Sequence, residues 1–491
     1  MARIPVFEPD LNVPVTPARD GTTKHRIVAL GDSLTHGVQS GAVFNTDLAY
    51  PAIIARALGT YDRYRYPRYG GPGGLPFNIE YLLRELERVA GESIAAWEAP
   101  RALYTAWRWM DELEDYWERG AGSVPPKVAA INHALAVYGW DLRDALSMTA
   151  QRCLDRLQEP AQDAWVLSKV DRDSERAALH VYPHWPPERR TMTLLDAARA
   201  LGEDGGIETL VVFLGANNAL GTVTSLKVAW SGDDYADLRA KGKYTLWRPE
   251  HFRAELAVLE EQVRGTRARH VIWCTVPHVT IAPIARGVSA DKMAKGSRYF
   301  AYYTRPWISD DQFDPERDPH ITGDQARTID ATIDAFNDGI QATVERARHD
   351  GRDWLLLDMA GLLDRLASRR YIDDETARPQ WWEPYPLPPA VAKLTPPVTS
   401  RFLTSDGHGG RATGGLFSLD GVHPTTVAYG LIAQELITVM RGVGVAVRDV
   451  DFDWLIGRDT LIGRPPQNIT SGLETLGWAD DALDLVLRAL P

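Results

Sequence analysis

Disulfide, metal and membrane signals are all missing from this sequence. Its two cysteines, Cys153 and Cys274, are too few for a disulfide framework, and their neighbours lack metal-ligand spacing. No apolar run approaches the roughly 18 residues that a membrane-spanning helix needs, and the first twenty residues lack the continuous apolar segment of a signal peptide. These absences predict a cytoplasmic chain without a membrane span.

An excess of positive charge is missing as well. The chain carries 54 Lys and Arg against 66 Asp and Glu, a net charge of −12. Such a chain gains no affinity by neutralising phosphates, which excludes nucleic acid as a main partner. The sequence also contains neither the Gly-x-Ser-x-Gly elbow of α/β-hydrolases nor the Gly-x-x-x-x-Gly-Lys phosphate loop.

Strand-like and helix-like segments alternate along the 491 residues, which suffice for roughly three domains or for one domain with large insertions. Apolar runs bounded by turn residues predict strands at 26–30, 209–214, 270–275 and 354–357. Helical spacing predicts helices at 50–58, 77–90, 251–264, 326–348 and 426–440. Alternation of this kind predicts an α/β fold with a parallel sheet and helices on both faces. Ligands bind such sheets at the carboxyl ends of the strands.

Residues 90–200 break the alternation and are rich in tryptophan. Seven of the sixteen tryptophans lie there: Trp97, Trp107, Trp109, Trp117, Trp140, Trp165 and Trp185. The range is predicted to be a helical insertion outside the sheet, which makes the catalytic domain discontinuous, at 22–89 and 201–491. The rings serve either as the core of a small subdomain or as a lid over the site. Trp107 and Trp109 point apart on a helix, so at most one of them faces the site.

Three polar clusters fall where a parallel sheet gathers the ends of its strands. Ser33 follows the first strand-like run, Asn217 follows another, and Asp420 and His423 directly precede the last long helix. A serine becomes a nucleophile beside a base, and an imidazole base needs a partner that fixes its tautomer. A carboxylate three residues before a histidine can reach Nδ1 and leave Nε2 for the serine. Asn217 and a glycine N–H from the turn at 70–74 are suitable donors to an oxyanion.

These clusters resemble three sequence blocks of the SGNH (GDSL) hydrolases, in the order of that family. Blocks I, III and V correspond to Gly31-Asp32-Ser33-Leu34, Gly215-Ala216-Asn217 and Asp420-Gly421-Val422-His423-Pro424. The resemblance implies a flavodoxin-like three-layer α/β/α fold and a serine esterase or lipase that cleaves esters or thioesters.

The resemblance also implies a role for each site residue. Ser33 is the nucleophile, His423 the base and Asp420 the residue that orients the base. The oxyanion hole consists of the Ser33 N–H, the Asn217 side chain and the N–H of a block II glycine, for which Gly73 fits best and Gly74 is the alternative. No metal or organic cofactor is implied, and the partner is a small acyl ester.

Other interpretations of the same residues remain open at this point. Asp406 and His408 repeat the Asp-to-His theme at a spacing of two and form a second candidate for the catalytic pair. His278 follows a strand end and could line the site. His36 lies three residues from Ser33 and could also line the site, but its position is more typical of a solvated loop residue. The same acyl-enzyme could serve an acyltransferase, and the fold could also persist in a catalytically silent carbohydrate- or lipid-binding module.

Overall fold

The structure, a computed structural model, describes residues 3–16, 22–159, 170–288 and 292–477. Trp165 and the end of the expected catalytic domain beyond residue 477 lie outside the described residues. No helix within these ranges is both long enough and apolar enough to cross a membrane.

Five of the strands form a central sheet, and the others form small antiparallel units. In the described residues the strands are β1 (His25–Gly31), β2 (Val38–Gln39), β3 (Ala42–Val43), β4 (Leu75–Pro76), β5 (Ala134–Ala136), β6 (Ile207–Phe213), β7 (Ala268–Cys274), β8 (Arg286–Gly287), β9 (Tyr302–Thr304), β10 (Ile321–Thr322), β11 (Trp354–Leu357), β12 (Thr404–Ser405) and β13 (Arg411–Thr413). The small units are β2-β3-β4, β8-β9-β10 and the β12–β13 hairpin.

The central sheet is entirely parallel, with the strand order β11-β7-β6-β1-β5. Counted in chain order, its strands stand 2-1-3-4-5, so the direction of winding reverses between β1 and β6. A reversal of this kind opens a crevice at the carboxyl ends of the two strands, which is where ligands bind in open parallel sheets. Four of these strands confirm the predictions from apolar runs.

Helices cover both faces of this sheet. The α-helices are α1 (Ser33–His36), α2 (Tyr50–Ala57), α3 (Ile79–Ala90), α4 (Ala99–Glu114), α5 (Leu142–Ser147), α6 (Ala150–Arg156), α7 (Asp173–Val181), α8 (Leu194–Glu203), α9 (Asn217–Thr224), α10 (Pro249–Arg264), α11 (Gly323–His349), α12 (Met359–Leu366), α13 (Pro389–Ala392), α14 (Thr426–Gly442), α15 (Phe452–Arg458) and α16 (Thr460–Gly463). The segments Asp115–Arg119 and Ser368–Ile372 are π-helical.

Alternation along β1 shows how the two cores form. Val28 and Leu30 pack in one core with α8, α10 and α11, and Ile27 and Ala29 pack in the other with α2, α12 and α14. Successive side chains of a strand point to opposite faces, so a run that is apolar at every position is buried on both sides. The pattern at 26–30 therefore predicted its environment correctly.

The interpretation of residues 90–200 as lying wholly outside the sheet is wrong. Ala134–Ala136 forms β5, which pairs in parallel with β1 at the edge of the sheet. Helices α5 and α8, which follow β5, pack in the core on one face of the sheet. Only three residues of β5 join the ladder, which is shorter than the four to eight residues by which an apolar run is recognised as a strand.

Candidate active site

Ser33 lies two residues beyond the end of β1 and begins α1. Asp32 caps this short helix by accepting a hydrogen bond from the Leu34 N–H at 3.2 Å. At Gly31 the Thr35 side chain lies so close that any Cβ would overlap it, which explains the glycine there. The cap and the close approach fix the turn that carries Ser33 at the carboxyl edge of the sheet.

The Asp32 carboxylate is 1% exposed and sits directly beside the serine. Burial raises its pKa to about 6, although hydrogen bonds from the backbone at Leu34 and Ala216 oppose that shift. Because Ala216 belongs to the loop after β6, Asp32 links the Ser33 turn to the loop that carries Asn217.

A tight turn before α14 holds Asp420 and His423 together. The Asp420 carboxylate accepts hydrogen bonds from the N–H groups of Val422 and His423, both at 2.8 Å, and from the Gly41 N–H at 2.7 Å. Its Oδ2 lies 2.9 Å from His423 Nδ1. Burial would raise the pKa of Asp420, but the His423 imidazole and these hydrogen bonds outweigh burial and lower the pKa. The carboxylate therefore stays ionised at neutral pH and fixes the imidazole with its proton on Nδ1.

His423 Nε2 is shielded from solvent and has no hydrogen-bond partner among the described residues. Ser33 and His423 line the same cleft, so the structure brings together the serine and the histidine that the sequence predicted. The hydrogen bond between them is not formed in this structure. Catalytic hydrogen bonds of this kind often shorten only when substrate is bound.

The cleft beside these two residues has a volume of about 880 Å³ and opens to solvent. Apart from Ser33, His278 and His423 its walls are apolar, and most come from α12, α14 and the segments 277–282 and 416–424. The apolar lining consists of Leu34, Ala216, Leu220, Pro277, Val279, Ala282, Met359, Leu362, Leu363, Leu366, Leu416, Phe417, Val422, Pro424, Ala428, Leu431 and Ile432. We call this space the apolar cleft.

Asn217 begins α9 at the carboxyl end of β6, next to β1. Its Nδ2 donates a hydrogen bond to the Trp140 carbonyl at 2.8 Å. An amide nitrogen carries two hydrogens, so this bond orients the group and leaves its second donor for a ligand. The next residue, Asn218, is fully buried and accepts a hydrogen bond from the Leu142 N–H at 3.4 Å.

Gly73, expected in the oxyanion hole, has its N–H engaged elsewhere. That N–H donates to the Gly71 carbonyl at 2.8 Å within the glycine-rich turn, and Gly74 lies against Val43 of the β3–β4 pair. This turn follows no strand of the central sheet. The structure therefore does not support the expectation that the Gly73 N–H donates to an oxyanion.

Another glycine, Gly139, lies at the carboxyl edge of the sheet and was not considered from the sequence. It follows β5, the neighbour of β1, by three residues and is exposed, with φ of +76° and open space around its Cα. The next residue, Trp140, accepts the hydrogen bond from Asn217. Sequence reasoning did not consider Gly139 because it did not recognise β5; the available signal was the short run Ala134-Leu135-Ala136-Val137, followed by Tyr138 and the glycine.

His278 lines the apolar cleft but is engaged on both ring nitrogens. Its Nδ1 lies 3.3 Å from an Asp364 oxygen, and its Nε2 lies 3.1 Å from Asp334. Burial alone would lower the pKa of His278, but the carboxylates of Asp364 and Asp330 outweigh burial and raise it to about 10. An imidazole that is protonated at neutral pH cannot accept a proton from serine.

The remaining histidine candidates lie apart from the cleft. Asp406 accepts hydrogen bonds from the N–H groups of His408 and Gly410, at 2.8 and 2.9 Å, in the exposed loop between β12 and β13. His36 is 2% exposed and bonds to Tyr69 Oη at 2.5 Å, so its expected position in a solvated loop is wrong.

No described residue between 90 and 200 lines the apolar cleft, so the structure gives the lid interpretation no support. Trp109 packs in two small cores beside α3 and α4, and Trp107 is 43% exposed on the outer side of α4. Trp117 is buried and donates a hydrogen bond from Nε1 to the Gly74 carbonyl at 2.9 Å. Trp109 and Trp117 therefore pack in small hydrophobic cores, as one of the two interpretations from the sequence predicted.

No family model matches this chain, and a search of curated proteins also finds no match.

Proposed function

We propose that this protein is a serine esterase of the SGNH type with a flavodoxin-like three-layer fold. One observation carries the proposal: His423 is bound by Asp420 at Nδ1, has a free Nε2 and lines the same cleft as Ser33. The strand order supports it, because Ser33 and Asn217 follow the two strands between which the winding reverses.

The proposed reaction begins when the Ser33 hydroxyl attacks the ester carbonyl. The serine proton passes to His423 Nε2, and the Asp420 carboxylate stabilises the imidazolium that forms. The carbonyl oxygen becomes an oxyanion, for which the donors are the Ser33 N–H, the Gly139 N–H and the second hydrogen of Asn217 Nδ2. Ser33 contributes because the first N–H groups of a helix lack intrahelical acceptors.

The intermediate then collapses, and the C–O bond to the leaving alcohol breaks. His423 returns its proton to the alcohol oxygen, which leaves an acyl group on Ser33. Water attacks the acyl carbon while His423 accepts a proton from it, and the acid departs as Ser33 recovers its hydrogen. Bonds and protons balance over the cycle with the side chains alone.

The apolar cleft supports acyl esters with a hydrocarbon chain as the substrate class. The only charged side chain among the described residues that line it is His278, whose ring nitrogens are already engaged by carboxylates, so a polar acyl group would lose hydration without compensation. Each methylene that enters such a site contributes about 0.8 kcal/mol, or roughly a fourfold gain in binding.

Hydrolysis of p-nitrophenyl esters from two to sixteen carbons tests the proposal. We expect the wild type to release nitrophenol and Ser33→Ala to lose about 10³-fold or more in kcat, since only the oxyanion donors and binding remain. Equal turnover by both proteins would contradict it. Adding an alcohol distinguishes a hydrolase, which forms the free acid, from an acyltransferase, which forms a new ester.

A further inference from the structure

A second cavity, of about 590 Å³, lies beside the apolar cleft and is bordered by arginine. Its guanidinium-bearing residues are Arg286, Arg298, Arg369, Arg370 and Arg401. No aspartate or glutamate of the described chain lines it. Because the whole protein has a net charge of −12, this concentration of positive charge is a local feature and not a result of composition. We call this cavity the arginine pocket.

Four of the five arginines are compensated by carboxylates that lie outside the lining. The pairs are Arg286–Asp310, Arg298–Asp330, Arg370–Asp330, Arg370–Asp364 and Arg401–Asp373. The Arg370 pairs are 2.9 and 3.2 Å long and buried, so they hold one wall of the pocket rigid. Arg401 is 44% exposed and lies toward solvent.

Arg369 forms no salt bridge within 4 Å among the described residues, although the more distant carboxylate of Asp310 opposes part of the repulsion on it. Its guanidinium donates to the Gly287 carbonyl at 2.6 Å and lies 4.9 Å from the Phe300 ring. Burial, and then the charges of Arg286 and Arg401, lower its pKa. A guanidinium nevertheless keeps its proton in proteins, so Arg369 remains a positive charge beside two others. A bound anion would remove this repulsion.

The arginine pocket and the apolar cleft share a wall. Along the segment 278–283, His278, Val279 and Ala282 line the cleft, whereas Thr280, Ile281 and Pro283 line the pocket. Likewise, Leu366 lines the cleft and the next residue, Ala367, lines the pocket. The wall also contacts the catalytic turn, because the Ile284 N–H donates to the Gly421 carbonyl at 3.0 Å.

We propose that the arginine pocket binds a phosphate-type oxyanion and that Arg369, which forms no salt bridge of its own, is the main cation that pairs with it. Guanidinium groups bind phosphate and carboxylate oxygens in pairs, and several guanidiniums around one cavity suit a group with two negative charges. The anion is either a free ion or the anionic end of an ester whose reacting bond lies in the neighbouring cleft. The assignment rests on the cavity itself and does not depend on the esterase proposal.

Calorimetric titration with inorganic phosphate at constant ionic strength tests the site directly. We expect saturable binding by the wild type and a dissociation constant at least about tenfold weaker for Arg369→Gln. Arg401→Gln, at a more exposed position, should weaken binding as well and serves as a second variant if Arg369→Gln unfolds. The control is Arg441→Gln, which removes an exposed guanidinium that is paired with Asp449. Arg441 lies near the end of α14, about 22 Å along the helix axis from the first turn of that helix. Absence of saturable binding to the wild type, or equal affinity in all variants, would overturn the proposal.

Steady-state kinetics then separates the two sources of the anion. If the pocket holds the end of the substrate, Arg369→Gln raises KM for a half-ester of a dicarboxylic acid and leaves KM for a neutral ester of equal length unchanged. If the anion is free, both KM values stay unchanged and the half-ester does not displace phosphate. The binding measurement still decides the site if no ester is turned over.

Discussion

Asp420 and His423 form a one-sided contact: the carboxylate binds the imidazole at Nδ1 at 2.9 Å, and Nε2 is left without a partner beside the cleft. A histidine held in this way carries its proton on Nδ1 and presents a lone pair at Nε2. Burial raises the pKa of Asp420, but the His423 imidazole and then the backbone donors at His423 and Val422 outweigh burial and lower it, so the carboxylate is ionised and the arrangement persists at neutral pH.

The first prediction separates the two Asp–His pairs. His423→Ala should lower kcat for a short p-nitrophenyl ester by about 10³-fold or more, because the serine loses its base. His408→Ala should leave kcat unchanged, since Asp406 accepts hydrogen bonds from backbone N–H groups of that loop, and neither Asp406 nor His408 lines the apolar cleft. The reverse result would move the catalytic pair to the loop between β12 and β13.

The second prediction concerns two adjacent asparagines. Asn217→Ala should lower kcat by about 10²- to 10³-fold with little change in KM, since an oxyanion donor acts mainly in the transition state. Asn218→Ala is the matched control: its side chain is buried against the Leu142 N–H, so the change should lower the melting temperature more than kcat. An equal loss of kcat in both variants would argue against a special role for Asn217.

The third prediction concerns chain length. Leu363→Trp adds bulk to the wall of the apolar cleft and should lower kcat/KM for octanoate esters far more than for acetate esters. Trp107→Ala, which changes an exposed ring outside the cleft, should keep the chain-length profile of the wild type. If Trp107→Ala alone altered the profile, the region 90–200 would cover the site after all.

The fourth prediction follows from His278, whose pKa is raised to about 10 in the folded protein from a usual value near 6.5. The folded state binds the proton more tightly, so this contribution is complete below pH 6.5 and is lost as pH rises towards 10. His278→Gln should therefore reduce the free energy of unfolding at pH 6 much more than at pH 10. Urea titrations at a series of pH values measure this difference; a difference that does not change with pH would refute the assigned charge.

The strands with long apolar runs were predictable from sequence because burial on both faces leaves little choice of residue. Ser33, Asn217, Asp420 and His423 could be chosen as candidates because they closely follow such strands or precede a long helix, and the structure places Ser33 and His423 in one cleft. The edge strand β5 was not predictable, because three small apolar residues carry no period. That omission also placed the whole range 90–200 outside the sheet, and it left Gly139 out of the candidates for an oxyanion donor, for which Gly73 was chosen by its position before the helix at 77–90.

Contacts between distant parts of the chain could not be predicted from the sequence either. Nothing local to His278 indicates that carboxylates from α11 and α12 bind both of its nitrogens. The arginine pocket likewise brings together arginines that lie between positions 286 and 401. None of these arginines belongs to a sequence motif that would indicate a binding site. Tertiary placement decides both the charge of His278 and the character of that pocket.

Labelling with a fluorophosphonate tests the central claim, that His423 activates Ser33, most directly. Peptide mapping by mass spectrometry should find one adduct, on Ser33, in the wild type and in His408→Ala, because the reagent needs an activated serine. His423→Ala should label at least about 10³-fold more slowly and Ser33→Ala should not label at all. An adduct on another serine, or equal labelling of Ser33 after loss of His423, would contradict the account.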